Sequence, residues 1–279
     1  MTWEIEKKVI LITGATDGLG KRVALDLARS GATILLHGRN LRKGEETLQE
    51  IRKTTDNRKL TYYNADFASL DAVRQLSQEI MTDQPRLDVL INNAGMGAGM
   101  RQGQRETSMD GHELRLAVNY LAPYLLTNLL LPLLRRCAPA RIVNVASAGQ
   151  QALDFDDLML AHGYDGLRAY RQSKLALVMF SFDLAEDLKE NGITVNSLHP
   201  ASLMNTNMVV ETDYFDGPIS TIEQGAQAVE YLAASEELEG VTGVYFDGKA
   251  RARAIPQAYD VKARRRLRET SDRLTRPRE

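Results

Sequence analysis

Cysteine is nearly absent from this chain: 279 residues carry one, Cys137. A single thiol excludes an internal disulfide framework and suits a reducing compartment. Net charge is small as well, with 35 Lys and Arg against 37 Asp and Glu. The formal charge of −2 therefore offers no global electrostatic case for nucleic acid or an anionic membrane. A long unbroken apolar run is also missing. The most apolar stretch, YLAPYLLTNLLLPLL at 120–134, is interrupted by Pro123, Asn128 and Pro132 and reads as a core helix. The apolar segment near the N-terminus is too short for a signal or a membrane span. His37, His112, His162 and His199 have no spacing that would join Cys137 or acids around a metal, so no metal is expected. These absences leave a soluble, cytoplasmic protein as the expectation, long enough to bury one large core.

Two periods alternate along the chain. KVILIT (8–13), ATILLHG (32–38), KLTYYNAD (59–66), LDVLINNAG (87–95), ARIVNVAS (140–147), GITVNSLHP (192–200) and VTGVYFD (241–247) read as strands. Helical spacing occupies 21–31, 41–54, 71–83, 112–135 and the segment around Tyr170 to about 191. Alternation in units of about thirty residues predicts a doubly wound, Rossmann-type α/β fold: one parallel sheet of about seven strands with helices on both faces. One domain is expected over 1–254, with loops at 148–168 and 201–220 standing outside the alternation. Residues 255–279 would form a helical tail, with Ala263, Leu267, Thr270 and Leu274 on one stripe and arginines elsewhere. An arginine-rich tail is compatible with RNA contact, but a solvated helix face explains it more simply.

Directly after the first strand comes TGATDGLG, Thr13–Gly20. Gly14, Gly18 and Gly20 suit a tight turn and a close backbone approach, and the helix that follows points its N-terminus at whatever binds there. Exposed N–H groups and the helix dipole make this an anion site fit for a pyrophosphate. A ligand-free strand-to-helix turn is the alternative. Strand two ends in HGRN, where dinucleotide folds place either an acid for the ribose hydroxyls of NAD or an arginine for the 2′-phosphate of NADP. Here Arg39 stands in place of an acid, which favours NADP(H) and leaves NAD(H) as the second option. Two points weigh against this. Arg39 could be a plain exposed loop charge, and Asp17 puts a negative charge inside the glycine loop.

Tyr170 and Lys174, four apart in AYRQSKLAL, would share one helix face. NNAG (92–95), Asn119 in AVNYLAPYLLT, Ser147 in RIVNVAS and the Tyr170-x-x-x-Lys174 pair follow TGATDGLG in order. Together these five motifs resemble the short-chain dehydrogenase/reductase family in its single-domain branch, over about residues 6–250. DFDDL, YRQSKLAL, ITVNSLHP and HGRN are similar to its retinol-dehydrogenase-like subgroup. Two departures stand out: Ala146 where many relatives carry a first serine, and Ala201 where a glycine usually follows the proline.

The resemblance implies an NADP(H)-dependent oxidoreductase that moves a hydride between nicotinamide and a hydrophobic alcohol/carbonyl pair. A free phenol has a pKa of about 10, and a nearby Lys174 ammonium would lower it. Tyr170 is then the expected general acid/base, with Ser147 donating to the substrate oxygen. The resemblance adds that Lys174 holds the nicotinamide ribose and that Asn119 supports a relay to it. It also puts Gly14, Thr16, Asp17, Gly18, Leu19, Gly20, Arg39, Asn40, Asp66, Phe67, Asn93, Ala94, Gly95, Tyr170, Lys174, Pro200 and Thr206 around the cofactor. Structural alternatives exist for several: Asn119 bonding a helix carbonyl, Ser147 capping a loop, Asp66 capping a helix. The expected partner is a small hydrophobic alcohol or carbonyl, with no nucleic acid. Leu153, Phe155, Leu158, Met159, Leu203, Met208, Tyr214 and Phe215 would wall its pocket or pack on one another. A homodimer or homotetramer through helices near 107–135 and 169–190 fits relatives of this kind. A non-catalytic NADP(H)-binding sensor or scaffold is the competing function.

Overall fold

The computed structural model describes residues 3–277. The apolar runs form β1 (Val9–Ile12), β2 (Thr33–Gly38), β3 (Leu60–Asn64), β4 (Val89–Asn92), β5 (Ala140–Val145), β6 (Ile193–His199) and β7 (Tyr245–Asp247). All seven are parallel, and a short β8 (Ala250–Ala252) pairs antiparallel with β7 at the edge. The order is β3-β2-β1-β4-β5-β6-β7-β8. The predicted doubly wound sheet is therefore present, with an eighth strand whose sequence, ARA, has no apolar period to announce it.

Helices are α1 (Gly18–Arg29), α2 (Leu41–Thr55), α3 (Leu70–Asp83), α4 (Leu114–Leu116), α5 (Ala122–Arg136), α6 (Gly166–Asp187), α7 (Asn207–Val210), α8 (Ile222–Ala234) and α9 (Val261–Leu274). α4 and α5 are one continuous rod joined by a π turn at Ala117–Leu121. β1 shows how the layers arise. Val9 and Leu11 enter the core shared with α3, α5, α6 and α9, while Ile10 and Ile12 enter the core shared with α1, α2 and α8. A strand covered on both faces is mostly apolar: β1 is so at every position, while β4 and β5 are buried throughout with Asn92, Arg141 and Asn144 as their polar exceptions. Each fully buried Ile or Leu here contributes about 1.5–3 kcal/mol.

One rod among the described residues, Leu114–Arg136, is long and apolar enough to cross a membrane, but 78% of its most apolar window is buried inside the molecule. α8 lies beyond the loop expected at 201–220; its start carries a reciprocal capping box between Thr221 and Gln224. The tail helix α9 lies on α6 and is tied to several elements. Tyr120 and Ser271 hydroxyls meet at 2.7 Å, Tyr124 donates to Asp272 at 2.6 Å, and Arg74 donates to the Thr275 carbonyl. The expected arginine-free face is corrected. Arg264 is buried on the packed side, 2.6 Å from Glu186, and Arg268 pairs with Asp183 and Asp187. Acids on α6 draw these arginines inward. In the 148–168 segment, Leu153 is core, and Phe155, Leu158 and Met159 pack against the same layer.

Candidate active site

The strand order reverses between the parallel neighbours β1 and β4, and the crevice beyond their carboxyl ends is where ligands bind in such folds. The glycine loop sits there. Gly14 has φ +65°, and a Cβ on it would lie 2.8 Å from the Ala94 Cα. The NNAG segment thus packs directly on the loop. Asn93 Nδ2 donates to the Thr13 and Gly14 carbonyls at 2.9 and 3.1 Å, and Thr13 Oγ1 accepts from the N–H groups of Asn93 and Ala94 at 3.0 and 2.9 Å. Gly20 is small for a packing reason: a Cβ there would sit 2.2 Å from the Gly14 carbonyl oxygen. α1 begins at Gly18, so Gly18, Leu19 and Gly20 form its first turn, with Leu19 buried. Asp17 is the cap of that turn. Its carboxylate accepts from Gly18 N–H at 2.7 Å and from Asn207 Nδ2 at 2.8 Å, with Lys43 Nζ at 3.7 Å.

The adenosine side was only partly legible. Arg39 is exposed and has no ion-pair partner among the described residues. Asn40 caps α2, its side-chain oxygen accepting from Lys43 N–H at 3.0 Å. Thr16 lies against Gly38, where an added Cβ would meet its methyl at 2.6 Å. Asp66 accepts from Ala68 N–H at 2.9 Å, and the Phe67 ring is buried and stacked on His37 at 4.4 Å. His37 itself is a residue that sequence reasoning missed. Burial drives its pKa down to about 4, so the ring is neutral. Nδ1 accepts from Gly14 N–H at 3.4 Å while Nε2 donates to the Ala65 carbonyl at 3.1 Å, supporting the glycine loop from below. HGRN displayed this histidine, but nothing in its spacing marked the role.

At the other end, Tyr170 and Lys174 occupy the first turns of α6, which Asp165 caps by accepting from Arg168 N–H at 2.6 Å. Lys174 is buried; Nζ donates to the Val145 carbonyl at 2.9 Å and lies 5.9 Å from the Tyr170 ring centre. Desolvation lowers its pKa to about 8. Burial raises the Tyr170 phenol above its ordinary value, and the hydrogen bond with Ser147 pulls partly back. The expected lowering by Lys174 is therefore not what this site shows: desolvation prevails. Ser147 lies two residues beyond the end of β5, with Gly149 N–H donating to its Oγ at 3.0 Å and Tyr245 OH donating to its carbonyl at 3.0 Å.

Asn119 sits in the π turn. Its side chain accepts from Met96 N–H at 2.8 Å and donates to the Met96 carbonyl at 3.1 Å and to Ser173 Oγ at 2.9 Å. Ser173 in turn donates to the Tyr170 carbonyl at 2.7 Å, a link the motif did not advertise. Gly95 fits between Asn119 and Lys174, since a Cβ would fall 3.2 Å from the Asn119 oxygen and 3.4 Å from Nζ. Pro200 is buried after β6, and Thr206 precedes α7 close to Gly18, its hydroxyl donating to the Met204 carbonyl at 3.4 Å rather than capping the helix. Met208 lies on Gly97, and Tyr214 OH donates to Asp165 at 3.1 Å, so the 201–220 segment folds toward the start of α6. Phe215 is partly exposed, and Leu203 takes φ +44°. Among the described residues no cluster of His, Cys, Asp and Glu could hold a metal.

The glycine loop, the Arg39 turn and the Ser147–Tyr170–Lys174 group thus all lie at the carboxyl ends of the strands, and the chain as a whole matches known proteins. The family model of the short chain dehydrogenases matches residues 8–215. Human retinol dehydrogenase 13 is 39% identical, the match covering 97% of this chain and 85% of that protein. A short chain dehydrogenase from Escherichia coli CFT073, solved with NADPH, superposes with a TM-score of 0.73 at 26% identity, covering 89% of this chain and 100% of that one. The 3-ketoacyl-(acyl-carrier-protein) reductase from Brucella melitensis, solved with NADH, gives 0.71 at 25%, covering 87% and 97%. On the family match and the length of the curated match, this chain is a member of the short-chain dehydrogenase/reductase family of oxidoreductases acting on CH–OH and C=O groups.

Proposed function

We propose that the protein is an NADP(H)-dependent oxidoreductase for a hydrophobic alcohol/carbonyl pair. The observation that carries this is the convergence of Ser147, Tyr170 and Lys174 at the end of β5, opposite a glycine loop and an unpaired Arg39. The residues fit a dinucleotide: neutral His37 and Asn93 hold the loop, and α1 directs its N-terminus into the crevice. NADP(H), when bound, supplies or takes the hydride.

The chain's own residues do the rest. Ser147 Oγ holds the substrate oxygen. Tyr170, kept protonated by burial, gives its phenolic proton to that oxygen in reduction and accepts one in oxidation. Lys174, anchored on Val145, sets positive charge on the same side of α6 and stabilises the phenolate that forms. Asn119 and Ser173 fix the turn that carries Tyr170. The hydrophobic substrate is supported by the retinol dehydrogenase relative and by Met208 and Phe215 on the flanking segment.

The test is a fluorescence titration with NADPH and NADH, repeated for Arg39→Ala, followed by NADPH oxidation with a panel of apolar aldehydes and ketones. The expected outcome is tighter NADPH than NADH, a loss confined to NADPH in the variant, and turnover of at least one apolar carbonyl. Equal losses for both nucleotides would remove the cofactor assignment. NADPH binding without turnover of any carbonyl would point to a sensor.

A further inference from the structure

We infer that Tyr62, on β3, is a positioning residue that sets the preference for the 2′-phosphorylated nucleotide by clamping the turn that presents Arg39. This rests on the cofactor reading above and goes beyond it, since Tyr62 belongs to none of the motifs.

The turn Gly38–Arg39–Asn40 joins β2 to α2, and its carbonyls are held from beneath. Tyr62 Oη lies 2.8 Å from the Gly38 carbonyl and 3.0 Å from the Asn40 carbonyl, its one proton shared between them. Asn64 Nδ2 donates to the Gly38 carbonyl at 3.0 Å and to Tyr62 Oη at 3.1 Å, and Ala65 N–H reaches the same carbonyl at 3.2 Å. The Ala65 bond continues the β2–β3 ladder, in which Gly38 pairs with Asn64, and the two side-chain donors are additional to it. The ring of Tyr62 also fixes α2. It lies flush with Gly44, where an added Cβ would sit 2.1 Å from Cζ, so α2 approaches the sheet only because that residue is glycine. On its upper side the turn touches the glycine loop through Gly38 and Thr16.

The consequence is a rigid backbone beneath a long, exposed and unpaired side chain. Arg39 has many rotamers to lose on meeting a phosphate, and ordering it carries an entropic cost. A mobile turn would add backbone entropy to that cost. The clamp removes the second part in advance, which is the general benefit of preorganisation. Only a ligand that uses Arg39 gains from it. NADPH carries the extra phosphate and NADH does not, so the hydroxyl of Tyr62 acts on one nucleotide and not the other.

Tyr62→Phe keeps the ring against Gly44 and deletes the hydroxyl. One neutral hydrogen bond is worth about 0.5–1.5 kcal/mol, which corresponds to about a 2–12-fold change in affinity. The expected result is a weakening of NADPH binding in that range, NADH binding unchanged within error, and a near-constant kcat with saturating NADPH. The decisive arm is a double-mutant cycle. In an Arg39→Ala background, Tyr62→Phe should no longer affect NADPH. Equal losses for both nucleotides, or an additive effect in the double variant, would overturn the inference and make Tyr62 a packing residue. Asn64→Ala, which leaves Tyr62 intact, should reproduce the same selective loss in smaller measure. If the parent chain binds NADPH no better than NADH, the cofactor reading fails and the inference falls with it. A parent that prefers NADPH with a Tyr62→Phe variant that matches it sinks the inference alone.

Discussion

Lys174 shows what the site costs. Its ammonium is buried with one carbonyl for company, and desolvation lowers its pKa from the ordinary lysine value to about 8. Below about 8 the side chain is charged both in the folded and the unfolded chain, and the burial cost is present in full. As pH rises from about 8 toward the unfolded value, the unfolded state holds the extra proton and the cost fades. Lys174→Met should therefore melt above the parent at pH 7, with a gap that narrows as pH climbs past about 8, while turnover is lost. A thermal melt series with a parallel assay checks this. A lower melting point at pH 7 would show that the Val145 hydrogen bond outweighs desolvation. Tyr170→Phe removes only a hydroxyl; affinity for the nucleotide should stay, and kcat should fall by about 10²-fold or more if the phenol is the proton donor. Such stability–activity opposition is common where function requires a strained or desolvated group.

Elements were easier to read than their joints. Parallel strands buried on both faces advertise themselves as apolar runs, so β1 to β6 were legible, as were α2 and α3, although not the capping roles of Asn40 and Ser69. β8 was not, because a three-residue edge strand bearing Arg251 has no period. The five site motifs were visible because each is local in sequence. His37, Tyr62, Ser173 and Val145 were hidden because their roles arise only where strands and loops distant in sequence meet. The α1–α8 contact is another such joint. Glu230 lies against Asp26, and burial with that like charge raises its pKa to about 7; Arg22 and Lys249 pull it down. A carboxyl raised in the folded state binds its proton more tightly there, so stability falls as pH rises through about 4.5 to 7. Glu230→Gln mimics the protonated form. It should match the parent at pH 5 and melt about 2–4 °C higher at pH 8 for each kcal/mol of relieved repulsion. Equal melting at pH 8 would mean that Arg22 and Lys249 already neutralise the pair.

At the scale of the molecule, α9 closes the layer formed by α3, α5 and α6. Leu267 enters the core, Arg264 answers the acids of α6, and His112 Nε2 reaches the Leu274 carbonyl at 3.1 Å. Ending the chain at Asp260 would uncover Tyr120, Tyr124 and Phe180 and leave Asp183 without Arg264 and Arg268. An unpaired, partly buried carboxylate and a lost apolar contact both destabilise, each by about 1–3 kcal/mol. The shortened chain should melt several degrees lower and bind more hydrophobic dye; a melt equal to the parent would show that α9 adds nothing to the core.

That docking also bears on self-association. The part of the expected α5–α6 pairing surface that carries Tyr124, Asp183 and Asp187 already has a tenant, and the tenant is tethered. A covalently linked occupant competes at an effective concentration in the millimolar range, far above the micromolar level of free copies in a test tube. Any pairing through that surface must first evict α9, and pairing elsewhere need not.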